Sequence, residues 1–130
     1  MNSILQPGGV GDEWPDRVAA VRRELSKHGP PRSPDGGPDF ATVTLPESDC
    51  DQLLDLLVEE RVGTVVEIGL AYASSALAID EALLRTGSRN PRPVVIDPFQ
   101  YTAYDGVGWE LLCSASLDDI ADAASLTRPD

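Results

Sequence analysis

One stretch limits what this chain can fold into more than any other. It is Thr64-Val65-Val66-Glu67-Ile68-Gly69-Leu70-Ala71-Tyr72-Ala73-Ser74-Ser75-Ala76-Leu77. β-branched apolar residues on successive positions predict a strand buried on both faces, as in a parallel sheet. A glycine and small residues follow, and a helical pattern begins after them. Strand, tight small-residue turn and helix start, in that order, are how α/β sheets build a ligand pocket at their carboxyl edge.

The neighbouring segments agree with an α/β class. Ser75 to Arg85 reads as a helix, with Ile79, Ala82 and Leu83 on one face, Glu81 spaced to pair with Arg85, and Gly87 as the stop. Val94-Val95-Ile96 predicts a second buried strand, ended by Asp97-Pro98 because proline cannot continue an interior ladder. Two such strands joined by a helix form a right-handed βαβ unit. Upstream, Cys50, Leu53, Leu54 and Leu57 fall at i, i+3, i+4 and i+7 of a helix, with Ser48 or Asp49 as its cap and Gly63 as its end. Phe40 to Leu45 reads as a short extended piece leading in.

Trp14, Val18, Val21 and Leu25 lie on one face of an earlier helix, with Pro15 in its first turn and Gly29-Pro30 as its stop. Arg17, Arg22 and Arg23 are assigned to its wet side. Met1 to Gly11 reads as a loose tail, and Pro30 to Pro38, with four prolines and two glycines, as a linker. The chain thus divides into residues 1–40, a helix plus linker, and residues 41–130, a partial ligand-binding domain. Downstream, the glycine-bearing loop Tyr104 to Trp109 runs into a helix with Trp109, Leu112, Cys113 and Ser116 on one side. Leu117, Ile120, Ala121 and Ala124 continue the helical spacing. No third strand is evident, so the predicted sheet is incomplete.

Charge narrows the partners. The formal net charge of −12 over 130 residues argues against an electrostatic grip on nucleic acid or on an anionic membrane. No apolar run is long enough to span a bilayer, and the amino terminus lacks a basic start followed by an apolar core. Cys50 and Cys113 form no C-x-x-C pair, and His28 is the single histidine, so no metal site is expected. The expected setting is reduced and cytoplasmic. Cys50 reads as a small core residue, because Glu47, Asp49 and Asp51 surround it with negative charge. His28 reads as a solvent-exposed helix end, Trp109 as a packing residue and Asp105 as a turn former.

At the carboxyl edge three features converge. Gly69, Ala71 and Ala73 keep side chains away, so a ligand can approach the backbone. Ser74 and Ser75 open the next helix, where hydroxyls and free N–H groups suit a carboxylate or phosphate. Asp97 ends the neighbouring strand, placed to accept hydrogen bonds from a ribose diol. The turn has no G-x-G-x-x-G, and no lysine follows Lys27, which argues against a dinucleotide cradle and a P-loop.

Val66 to Leu77, with Val95-Ile96-Asp97-Pro98-Phe99 after it, resembles motif I and the following strand of class I S-adenosylmethionine (SAM)-dependent methyltransferases. The nearest branch is similar to small-molecule O-methyltransferases such as catechol O-methyltransferase, and the resemblance covers roughly Thr42 to Leu117. It implies a partial Rossmann-like methyltransferase fold corresponding to the amino-terminal half of the enzyme. It further implies SAM as cofactor and a small-molecule methyl acceptor. On the same basis Glu67 would shape the turn and approach the cofactor's amino group. Gly69, Ala71 and Ala73 would line its methionine part, Ser75 would receive its carboxylate and Asp97 would hold the ribose. Tyr72 would cover the cofactor or simply pack. The family usually has glycine where this chain has Ala73, so a φ > 0 there would bring a methyl group against the cofactor. The catalytic residues are not identified. With two strands, the chain is expected to form a homo-oligomer or to need a complementing chain. The alternative reading is an inactive remnant, or a SAM-binding or interaction module that needs a partner chain.

Overall fold

The protein is described by a computed structural model covering residues 13–30, 39–87 and 92–115. The expectations for Met1 to Gly11, the linker beyond Pro30, and Ser116 to Ala124 fall outside these residues. In chain order the elements are α1 (Glu13–His28), α2 (Phe40–Val43), α3 (Glu47–Glu59), β1 (Thr64–Ile68), α4 (Ser74–Arg85), β2 (Arg92–Ile96), α5 (Gln100–Ala103) and α6 (Val107–Ala115). β1 and β2 pair in parallel, with Val66 opposite Val94 and Ile68 opposite Ile96, and α4 joins them. The class is mixed α/β, and these two are the only strands among the described residues.

α4 is the centre of the fold. A surface helix would bury one stripe, but every residue from Ala76 to Leu84 is buried. α1, α3, β1, β2 and α6 all pack against it. Leu77 and Leu84 of α4 share one core with Val18 and Leu25 of α1, Val95 of β2, and Leu112 and Ala115 of α6. Removing a single leucine of this set from water contributes about 1.5–3 kcal/mol.

The crowding of α4 revises the reading of α1. Arg22 is not on the wet side; it is 1% exposed. Its Nη2 donates to Asp51 of α3 at 3.0 Å and to Glu81 of α4 at 3.3 Å. Burial works against the guanidinium charge, but the hydrogen bonds and attraction from Glu81 and Asp51 outweigh it and raise its pKa. Glu81, itself buried, also accepts from Arg85 at 2.8 Å, as its i, i+4 spacing predicts. Arg85 reaches on to Asp16 of α1 at 3.0 Å.

Three further expectations change. Phe40 to Val43 is a helical turn, not an extended piece. Both Thr42 and Val43 return their N–H groups to the Asp39 carbonyl. α3 starts after Pro46 without a side-chain cap and stops at Glu59, before Gly63. Arg61 takes the left-handed position at φ 53°, with Arg61 N–H bonded to Val58 O and Val62 N–H to Leu57 O. These two bonds form a Schellman closure around a non-glycine residue. Finally, β1 is not buried on both faces. Val65 and Glu67 face α4, whereas Val66 is 60% exposed and Ile68 81% exposed.

Other local readings hold. Gly87 (φ 70°) ends α4. Cys50 is buried, its thiol donates to Leu45 O at 3.6 Å, and burial pushes its pKa up to about 11. His28 is an exposed helix end, 3.2 Å from Glu24, and Trp109 packs against the core. Asp105 turns the chain at φ 53°. No described helix is long and apolar enough to cross a membrane.

Candidate functional site

The seven sequence-predicted site residues lie at the carboxyl edge of the two strands: Glu67 near the end of β1, Gly69, Ala71, Tyr72 and Ala73 in the turn after it, Ser75 in the first turn of α4, and Asp97 just after β2. Gly69 donates its N–H to Ile96 O at 2.8 Å, which carries the ladder one step past β1. It sits at φ 89° with no atom near the position a Cβ would take, so only its backbone conformation requires glycine. Ala71 (φ 47°) and Ala73 (φ 72°) are also left-handed. Ala73 donates to Leu70 O at 2.8 Å, closing the turn, and accepts from Leu77 N–H at 2.8 Å, opening α4. Its methyl is fully buried in the core.

Asp97 holds this turn in place. Its Oδ2 accepts from Leu70 N–H at 2.9 Å, Ala71 N–H at 3.2 Å and Gln100 Nε2 at 3.1 Å. Its Oδ1 accepts from Phe99 N–H at 3.0 Å. The residue is 3% exposed. A carboxylate has about four lone-pair sites. Three of these four bonds converge on Oδ2, so Oδ1 keeps the remaining acceptor capacity. The two N–H groups that could have bound an anion in the turn already serve Asp97.

Gln100, which no sequence pattern marks, completes the latch. It is fully buried, and its amide is satisfied at both ends. Nε2 donates to Ala71 O at 2.9 Å as well as to Asp97, while Oε1 accepts from Gly108 N–H at 2.8 Å and Trp109 N–H at 3.3 Å. One side chain therefore ties the β1 turn, the β2 turn and the start of α6 together. Gly108 makes the fit possible. A Cβ there would lie 2.1 Å from Ala71 O, so α6 can approach the turn this closely only through glycine.

Glu67 has a different environment. Its Oε2 accepts a short hydrogen bond from the Ser75 hydroxyl. Its Oε1 is buried and has no hydrogen-bond partner among the described residues. Burial pushes its pKa up to about 7; the Ser75 bond opposes the rise and the charge of Asp97 adds to it. Ser75 is thereby engaged with Glu67. Tyr72 packs: its hydroxyl donates to Asp39 at 2.7 Å, and its ring meets Phe40 (centroids 5.6 Å apart) and Tyr104 edge-on (5.1 Å). Burial, then the charges of Asp39 and Asp97, raise the Tyr104 pKa. Among known proteins, no family model and no curated sequence matches this chain.

Chemically, the edge offers a half-satisfied buried carboxyl group, Glu67, beside an exposed glycine. No group of described residues could hold a metal ion. A groove of about 490 Å³ between α1 and α6, lined by Val21, Glu24, Leu25, His28 and Leu111 among others, shares no residue with the two turns. It is apolar apart from the paired Glu24 and His28, so it adds nothing to this chemistry.

Proposed function

We propose that the chain is a Rossmann-like class I methyltransferase domain that binds SAM at the β1 turn and serves methyl transfer to a small-molecule acceptor. The observation that carries this reading is the Glu67 Oε1 atom, buried at the carboxyl edge and lacking a donor. A buried carboxyl oxygen without a donor is costly, and a ligand ammonium group would satisfy it. In this reading Glu67 holds the amino group of the cofactor, and Gly69 and Ala71 allow its methionine part near the backbone. Asp97 fixes the turn and offers Oδ1 to a ribose hydroxyl. Ser75 orients Glu67 and leaves the cofactor carboxylate to backbone N–H groups at the start of α4. Tyr72 supports the turn from behind through Asp39 and Phe40. The cofactor supplies an electrophilic methyl group. The protein's part is to position donor and acceptor, which is the main protein contribution in a direct displacement.

Calorimetric titration of the chain with SAM and with S-adenosylhomocysteine tests the reading. Saturable heat with both ligands, weakened about tenfold or more in Glu67→Gln, is the expected result. Absence of heat at millimolar ligand would sink it. A second reading is favoured by the exposed Val66 and Ile68: a SAM-binding or interaction module that needs a partner chain and transfers no methyl by itself. Transfer of labelled methyl to a panel of phenols, acids and amines separates the two.

A further inference from the structure

Glu67 is poorly placed to carry a charge in the free site. Among the described residues, its buried Oε1 has no donor and its Oε2 has the Ser75 hydroxyl alone. The described groups packed around it supply no compensating cation. Asp97, just after β2, bears on it with the same sign. Asp80 of α4 lines the same small cavity between α4 and the strands. Farther along α4, Glu81 and Arg85 are bonded to each other and to α1. Cys50 of α3 lies within reach of the Glu67 charge, but its thiol, pushed up to about 11, is uncharged at neutral pH. Arg92, the cation of β2, stands opposite Thr64, on the order of 10 Å of strand away from Glu67. We infer that ligand binding at this site is proton-linked: the ligand's ammonium group and a proton compete for the Glu67 carboxyl group, and binding releases the proton to solvent.

The inference rests on the proposed placement of the cofactor's amino group at Oε1. A buried carboxyl group short of donors favours its neutral form, which costs less to take out of water. An ammonium group brings a donor and the opposite charge together, and so favours the carboxylate. Burial pushes the Glu67 pKa up to about 7, against the Ser75 bond and with the charge of Asp97, which puts the exchange in the neutral range. Affinity therefore falls as pH falls through about 7. The stability that the Glu67 proton gives the free fold runs the other way, so the ligand binds best where the free fold is weakest.

Calorimetric titration of the full chain with S-adenosylhomocysteine at about pH 6 and about pH 7, both below the ordinary pKa of an α-amino group, tests the linkage. Each titration is run in phosphate and in imidazole buffer. Binding should be about fivefold weaker at the lower pH. At that pH the heats in the two buffers should differ as expected for release of about one proton per chain. Glu67→Gln should bind more weakly and lose both the pH dependence and the buffer dependence. Buffer-independent heat with equal affinity at the two pH values overturns the linkage and leaves the cofactor placement intact. So does a Glu67→Gln variant that releases as much proton as the wild type. No heat at millimolar ligand at either pH sinks the placement, and the linkage with it.

Discussion

Glu67 and Asp97 lie at the carboxyl ends of adjacent parallel strands, and both are acidic, yet their surroundings differ in kind. Asp97 accepts four hydrogen bonds, three of them from backbone N–H groups of the two turns. Among the described residues Glu67 accepts one, from Ser75, and has a buried oxygen with none. The same functional group thus serves as a structural anchor on one strand. On the other it is a carboxyl group with one oxygen that has no donor among the described residues. A residue's position at a strand end does not decide which; the count of donors around it does.

The contrast breaks most visibly under the same acid-to-amide change. Asp97→Asn places an amino group against at least one backbone donor and should lower unfolding stability by about 3–4 kcal/mol in urea titration. If the loss is under about 1 kcal/mol, the anchoring role is wrong. Gly108→Ala attacks the same latch from the α6 side without touching either acid. With its Cβ on Ala71 O, it should cost about 2–3 kcal/mol, measured in the same way.

Glu67→Gln should move stability in the opposite direction. The folded-state pKa of Glu67, about 7, lies above its ordinary value of 4.5, so the fold holds this proton more tightly than the unfolded chain does. The resulting stability is fully present below about pH 4.5 and is lost as pH rises through about 7. At pH 8 Glu67→Gln should therefore be more stable than wild type by about 2 kcal/mol, and its stability should fall less between pH 5 and 8. A variant less stable at pH 8 than wild type would mean that Glu67 has donors in the free protein. The smallest effect belongs to Gly69→Ala, where open space leaves only backbone strain at φ 89°, about 1 kcal/mol in thermal or urea unfolding. A loss as large as that of Gly108→Ala would show a steric contact at Gly69 too.

Much of this arrangement is legible in the sequence, for local reasons. The β-branched runs, the glycine after Ile68 and the proline after Asp97 are signals a few residues long, and they mark β1, the turn and the end of β2. Gln100 was missed because its four bonds reach residues 3, 8, 9 and 29 positions away, and no local pattern encodes such a hub. Its only trace is an uncharged polar residue between Phe99 and Tyr101, three places after Asp97. The buried position of Arg22, by contrast, does have a local signal. Val18 and Leu25 stand at i−4 and i+3 from it, which puts it on the apolar face. The open face of β1 is a different case. A two-sided apolar strand reports that it can be buried on both sides, but what lies against it is decided elsewhere in the chain or outside it.

The buried Arg22 has one more consequence. Its guanidinium joins α1 to α3 through Asp51 and to α4 through Glu81. Detaching α1 alone would strip Glu81 of one of its two cations while the helix is still packed around it. That penalty discourages partial opening of the amino-terminal helix. The amide protons of α1 and α4 should then exchange with solvent at a common free energy, because the two helices open as a single cooperative unit.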